Sequence, residues 1–300
     1  MADREGAGED DAGEGRAGSG ATGGEGVGGQ TVVARSGRRS VRITYIGHAT
    51  LLIEFGGVRI LTDPNFDPHL ARVLPRVSAP GIALDALPAL SAILLTHAHA
   101  DHLSFHSLNG LRRDVPLYAP PAVSRWLNRM GYEQARPLAP GDSVTIGGTL
   151  RVTAAAAKHL GSRYAVDRWR SAANMYLLDD GARACFFAGD TALTPDSHRI
   201  VEQELRARGR ELDLALLPIG HAPWWKPGFR KGHLTPDDAL TLWERLGARY
   251  FIPYHWGTFR HVTAGPFAAI GRLRARVDTH ARKADIKILE PGTSFDVALG

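Results

Sequence analysis

Sulfur is scarce in this chain, with one cysteine, Cys185, and three methionines among 300 residues. A single thiol excludes an internal disulfide framework and points to a reducing compartment. Its place in the apolar run Ala184-Cys185-Phe186-Phe187 makes it a core residue rather than a nucleophile. No apolar stretch approaches the roughly 20 residues needed to cross a bilayer, and the N-terminus lacks the basic-then-apolar layout of a secretory signal. A cytoplasmic protein is therefore expected. Nucleophile elbow, phosphate-cradling glycine loop and dinucleotide fingerprint are all missing. Lysine is rare as well, five of the 36 basic residues, and no clustered basic helix or basic-aromatic motif argues for a nucleic-acid partner.

What is present divides at about residue 39. The first 30 residues hold 11 of the 34 glycines, with seven acids against two arginines, so a net −5 there leaves +10 for the remainder. Nothing in 1–39 can bury a core, and it reads as a disordered Gly/Glu-rich tail, with one folded domain over 40–300. The basic body favours an anionic small-molecule or lipid substrate and peripheral contact with an acidic membrane surface. Genome-wide arginine bias explains the same charge equally well.

In the folded part, Val41–Ile46, Thr50–Phe55 and Val58–Asp63 read as a β-meander turning at Gly56-Gly57. Pro64–Leu90 reads as proline-punctuated loop, and Ala92–Leu95 as a buried strand. Helices are expected over 104–111, 121–130, 197–208, 235–246 and 266–277, and hairpins over 143–157 and 174–187. Further strands are expected at 115–118, 212–217, 250–254 and 286–289. Thr235-Pro236-Asp237-Asp238 is the strongest helix start, with an N-cap threonine, proline at the first position and acids in the first turn. Hairpins alternating with helix-strand units fit two mixed sheets packed face to face with helices outside.

The chemistry concentrates in Thr96-His97-Ala98-His99-Ala100-Asp101-His102-Leu103, at the exit of that buried strand. Three imidazoles and a carboxylate within six residues form a ligand set suited to zinc and related divalent ions. Three more ligand-type residues, His159, Asp190 and His255, also stand at strand exits. Each alone reads more readily as a structural residue; together they complete a two-metal count.

The motifs THAHADHL, KHLGSR, FFAGDT and YHWGTF resemble the metallo-β-lactamase superfamily. GHATLLIE, ILTDP, LPIG and GHLTPDDA are similar to its N-acylphosphatidylethanolamine phospholipase D-like branch, over about residues 41–262. The resemblance implies an αββα sandwich of two mixed β-sheets with helices on the outer faces. It implies that His97, His99 and His159 hold one metal, that Asp101, His102 and His255 hold the other, and that Asp190 bridges them. Two Zn²⁺ are expected, although the same donors accept iron or manganese. Two cations about 3.5–4 Å apart can share a water and lower its pKa from about 15.7 toward neutrality. The implied activity is hydrolysis of a phosphodiester, with an N-acylphosphatidylethanolamine-type phospholipid as the branch's substrate. The alternatives are a lactonase or other ester or amide hydrolase, and, in another class, an iron-binding redox protein, which the lack of an appended flavodoxin-like domain disfavours.

Asp101 and His233 are the candidate catalytic residues, and His233, just before the Thr235 cap, is the candidate contact to the substrate's polar head. Asp63 reads equally as an orienting partner for a metal-bound histidine or as a turn aspartate, and His48 reads as structural. Trp224, Trp225, Phe229 and Trp256 read as an acyl-chain wall or as core. Ala100 departs from the branch, which carries tyrosine there, and the Trp225–His233 segment is slightly longer; both bear on the substrate and leave the metal ligands intact.

Overall fold

The computed structural model describes residues 40–71, 73–164, 167, 171–220, 227–260 and 265–297. The expected tail over 1–39 lies outside them, as do Trp224 and Trp225. Strands β1 (Val41–Gly47), β2 (Thr50–Phe55) and β3 (Val58–Thr62) form the expected meander. Phe55 pairs with Val58 across Gly56-Gly57, and Gly56 takes the left-handed φ of +57° that so short a turn demands. The segment after it is not wholly loop, since it contains a small hairpin of β4 (His69–Leu70) and β5 (Leu74–Pro75).

The motif strand β6 (Ala92–Leu94) follows, then α1 (Phe105–Gly110), β7 (Leu117–Ala119), α2 (Pro121–Arg129) and β8 (Ala135–Pro137). Two antiparallel pairs come next, β9 (Ser143–Ile146) with β10 (Leu150–Ala156) and β11 (Asn174–Asp179) with β12 (Ala184–Phe187). The remaining elements are α3 (Arg199–Glu204), β13 (Leu214–Pro218), α4 (Pro236–Leu246), β14 (Tyr250–Tyr254), α5 (Ala268–Val277) and β15 (Ser294–Val297). One mixed sheet has the order β15-β1-β2-β3-β6-β7-β8, and the other β14-β13-β12-β11-β10-β9.

Alternation along the first sheet decides its two faces. Ile43, Tyr45, Leu51, Ile53, Ile60, Ala92 and Leu94 join a core cluster with residues of the second sheet, such as Val152, Tyr176, Phe186 and Leu216. Their neighbours Ile46, Leu52, Leu61, Ile93 and Leu95 join another cluster with Leu108 of α1 and Val123 and Leu127 of α2. Because side chains alternate with period two, a strand apolar at every position is buried on both sides. A one-residue slip would exchange these faces and misfit two filled cores at once, at about 1–3 kcal/mol for each overpacked site. On the other side, α4 packs on β13 and α5 packs on α4. The layers are thus helices, sheet, sheet, helices.

Candidate metal centre

The seven residues singled out by sequence come from loops at the ends of β6, β10, β12 and β14, so strands of both sheets deliver them to one edge. The motif loop itself is taut. The N–H groups of His102 and Leu103 both donate to the His99 carbonyl, at 3.1 and 2.8 Å, and Ser104 then caps α1 by accepting from the Ser107 N–H. The histidine loop is therefore strung between a buried strand and a capped helix.

Asp63, at the end of β3, sets the orientation of this loop. It is fully buried, adopts φ +34°, and accepts from the Thr96 N–H and hydroxyl, both at 2.7 Å, and from His102 Nδ1 at 2.8 Å. With its hydroxyl proton committed to Asp63, Thr96 Oγ1 accepts from His97 Nδ1 at 2.9 Å. Both rings thus carry their proton on Nδ1 and turn Nε2 into the centre, the role of an outer partner to a metal ligand. Sequence left Asp63 undecided between this and a turn residue, and the geometry places it beside His102. Thr96 was not anticipated; its position as first residue of the motif was the only signal.

His159 is oriented in the same manner by backbone. Its Nδ1 donates to the Gly232 carbonyl at 2.7 Å, and its Nε2 lies 3.1 Å from His99 Nδ1. Asp190 sits between the groups, with its oxygens 3.3 Å from His102 Nε2, 3.4 Å from His255 Nε2 and 3.4 Å from His233 Nε2. His102 Nε2 and His255 Nε2 face each other at 3.3 Å. Ligand-type atoms of His97, His99 and His159 lie within 4.8 Å of one another, as do those of His48, Asp101, His102 and His255, and those of His97, His102 and Asp190. His233 stands two residues before the capping box of α4, where Thr235 and Asp238 bond reciprocally and Pro236 begins the helix.

His48 is closer to the centre than a structural reading implies. Its Nε2 lies 2.9 Å from Asp101 Oδ2, and its ring lies 3.8 Å from that of His255. Trp256, at 4% exposure, stacks on Tyr45 at 5.7 Å and also lines a cavity of about 220 Å³ at the mouth of the site. His48, His99, Asp101, His233 and His255 form the polar wall of that cavity, and Leu70, Leu74, Phe259 and Pro266 its apolar wall.

The electrostatics divide the histidines. Burial pushes His97 well below the usual imidazole range, lowers His99, and brings His48 and His159 down to about 3. These rings are neutral, as ligands must be. Burial also opposes charge on His102 and His255, but Asp190 and Asp101 outweigh it, raising His102 strongly and His255 to about 9. The same histidines hold Asp190 and Asp101 well below the usual carboxylate range despite burial.

A buried acceptor without a donor is costly, on the order of 1–3 kcal/mol and more when charged. Both carboxylate oxygens of Asp190 are buried without a hydrogen-bond partner, and so is His97 Nε2. Cations between these atoms would satisfy all three. Imidazoles, of which His102 and His255 would shed a proton on binding, with two ionised carboxylates fit divalent metal on donor chemistry.

The sequence pattern described as the beta-lactamase superfamily domain matches residues 58–256. An uncharacterised protein of Mycobacterium tuberculosis is 30% identical over 240 residues, covering 76% of this chain and 62% of that protein. The N-acyl-phosphatidylethanolamine-hydrolyzing phospholipase D 1 of Caenorhabditis elegans is 28% identical over 233 residues, 72% of this chain and 64% of that protein. The chain thus spans less than two thirds of the length of these relatives. The solved structure of Igni18, described as a metallo hydrolase from Ignicoccus hospitalis, superposes with a TM-score of 0.65 at 22% identity, covering 87% of this chain and all of that one.

Proposed function

This chain belongs to the beta-lactamase superfamily, with the αββα sandwich expected for it, and we propose that it is a metal-dependent hydrolase with a two-metal centre that cleaves a phosphodiester. The observation that carries this reading is Asp190, whose two buried oxygens lack hydrogen-bond partners and face the nitrogens of His102 and His255. In this reading His97, His99 and His159 hold one cation, Asp101, His102 and His255 the other, and Asp190 lies between them. Zinc is the first candidate, with iron or manganese accepted by the same donors. When bound, such a pair supplies an acidified water and positive charge for the developing oxyanion.

The remaining steps fall to the protein. Asp63 and Thr96 lock His102 and His97 in one tautomer, and the Gly232 carbonyl does the same for His159. His233 stands half-buried at the cavity with Nε2 3.4 Å from Asp190. There it can bind the substrate's phosphoryl oxygen and give a proton to the departing one. The apolar wall of Leu70, Leu74 and Phe259 suits one hydrophobic arm of a diester, and a lipid of the N-acylphosphatidylethanolamine type at a membrane surface is the specific candidate. It is supported by the name of the nematode relative and by the basic folded body.

A lactone or other ester is the second reading, favoured by Ala100, a methyl group where the lipid-cleaving branch has tyrosine. Metals per chain and hydrolysis of bis(p-nitrophenyl) phosphate test the two together. Two metals with turnover support the phosphodiesterase, two metals without turnover shift the reading to esters and lactones, and a reconstituted protein that binds no metal overturns both.

A further inference from the structure

The metal centre has a second cavity at its other side, and its charge is of one sign. It has a volume of about 570 Å³, opens beside His159, and is lined by Lys158, Leu160, Leu193, Arg230 and Lys231 together with smaller residues. Three cationic side chains and no carboxylate belong to its described lining. The two cavities share no lining residue. They meet where His159, in one wall, touches His233, in the other, at 4.9 Å between ring centroids.

The main chain at both lysines is tied to the metal centre, and both side chains are exposed. Lys158 directly precedes His159, and its main chain is tied to the Asp190 loop on both sides. Its N–H donates to Thr191 Oγ1 at 3.0 Å, and its carbonyl accepts from the Ala192 N–H at 3.1 Å. Lys231 directly precedes Gly232, whose carbonyl holds His159 Nδ1 at 2.7 Å. Each lysine is thus one residue away from the clamp on His159. Neither ammonium pairs with a carboxylate among the described residues, whereas Arg230 is engaged by both oxygens of Asp238, at 2.9 and 3.1 Å.

Composition gives an independent signal. The chain uses lysine only five times among 36 basic residues, yet Lys158 and Lys231 are two of the five. A composition biased to arginine does not account for lysine at this spot. A compact ammonium with three donors suits an oxyanion approached from several directions.

We propose that this cavity is a second anion subsite, and that the substrate of the metal centre is a phosphodiester whose one arm carries a further phosphate-like group. The inference rests on the phosphodiesterase reading above and not on its lipid candidate, since an N-acylphosphatidylethanolamine-type lipid carries no further phosphate on either arm. A diester has two arms, and the two cavities give them different surroundings: the mouth takes an apolar arm, and the lysine cavity takes a charged one.

The test compares two p-nitrophenyl phosphodiesters, one with an ethyl arm and one with a 2-phosphonoethyl arm, on the metal-loaded chain. The charged diester is expected to have kcat/KM about tenfold higher, equivalent to about 1.4 kcal/mol. The ratio should fall to near one in the double variant Lys158→Ala/Lys231→Ala and return in Lys158→Arg/Lys231→Arg, with both metals retained. Equal kcat/KM in the natural protein, or a ratio that survives the alanine pair, overturns the subsite. If neither diester is cleaved, the phosphodiesterase reading fails on its own. Calorimetry with methylphosphonate then decides the subsite separately: two bound per chain in the natural protein and one in the alanine pair support it, and equal counts overturn it.

Discussion

His48 Nε2 lies 2.9 Å from Asp101 Oδ2, the same oxygen that approaches His255 Nε2 at 3.6 Å. The imidazole is therefore an outer partner of one ligand-type residue while its ring packs on another. Its backbone is fixed to the same loop: its N–H donates to Thr258 Oγ1 at 2.7 Å and its carbonyl accepts from the His255 N–H at 3.0 Å, with φ at +57°. Loss of such a partner costs about 10–100-fold in metal affinity. His48→Ala should accordingly lose one of two metals under limiting supply, and His48→Gln, which can still donate, should keep more of it. Metals per chain by elemental analysis check this, and an unchanged count in the alanine variant means the ring is only filling space.

Asp63→Ala is expected to be a folding mutation as much as a site mutation. It removes the acceptor for the Thr96 N–H, the Thr96 hydroxyl and His102 Nδ1 in a fully buried place. Stranding a buried charge-paired network in this way costs about 3–5 kcal/mol. Urea unfolding of the metal-free protein measures it without interference from bound metal, and a loss below about 1 kcal/mol would sink this account of the loop.

Asp190 and His233 touch each other but should fail differently. Asp190→Ala removes the only carboxylate among the described residues that stands between the two ligand groups, so metal content and hydrolysis are expected to fall together. His233→Ala should retain both metals and lose about 10²–10⁴-fold in turnover, the range for a positioned proton donor. Equal turnover of every substrate by His233→Ala refutes its role.

What sequence could and could not disclose follows from distance along the chain. The His97–His102 cluster and its strand were legible because four ligand-type residues fall within six positions after a buried run. The α4 start was legible because Thr235, Pro236 and Asp238 encode their own capping. His159, Asp190 and His255 each stand alone in sequence, and only the register of β10, β12 and β14 brings them together. The helix expected over 197–208 is an α-helix only over Arg199–Glu204, tightening to a 3₁₀ turn at Arg206–Arg208 before Gly209 at φ +69°. The strand expected at 286–289 is a single bridge from Ile286 to Phe251, while the unforeseen β15 edges the first sheet against β1. Backbone partners such as the Gly232 carbonyl have no side-chain signature at all.

Protons and metal should compete in the half of the site that holds His255. In the metal-free protein Asp190 and Asp101 raise this imidazole from 6.5 to about 9 against the penalty of burial. Because the folded value lies above the unfolded one, its charge stabilises the metal-free fold fully below pH 6.5 and loses that effect as pH rises through 9. A ligand must shed this proton. Metal affinity should therefore climb between pH 6.5 and 9, by up to about tenfold per pH unit for each proton displaced. Titration calorimetry in two buffers of different ionisation heat reads the released protons, and identical heats in both buffers contradict the prediction.

Gly220 supplies the most stringent steric test. It follows β13 on the path to the site, and a Cβ built on it would overlap both the carbonyl oxygen and Nδ1 of His255. Its φ is not left-handed, so alanine there meets no backbone penalty and the clash falls on the histidine alone. That histidine is held on its other side by the His48 ring at 3.8 Å and through its own N–H, so it has nowhere to retreat within the fold. Gly220→Ala should therefore displace His255, lowering metal content toward one per chain. It should also cost about 1–3 kcal/mol in stability, the usual range for overpacking a filled core. Gly228→Ala, where no atom lies within 4 Å of an added Cβ, is the matched control and should leave both quantities unchanged. If Gly220→Ala binds two metals as tightly as the natural chain, His255 is not the ligand that the packing around it implies.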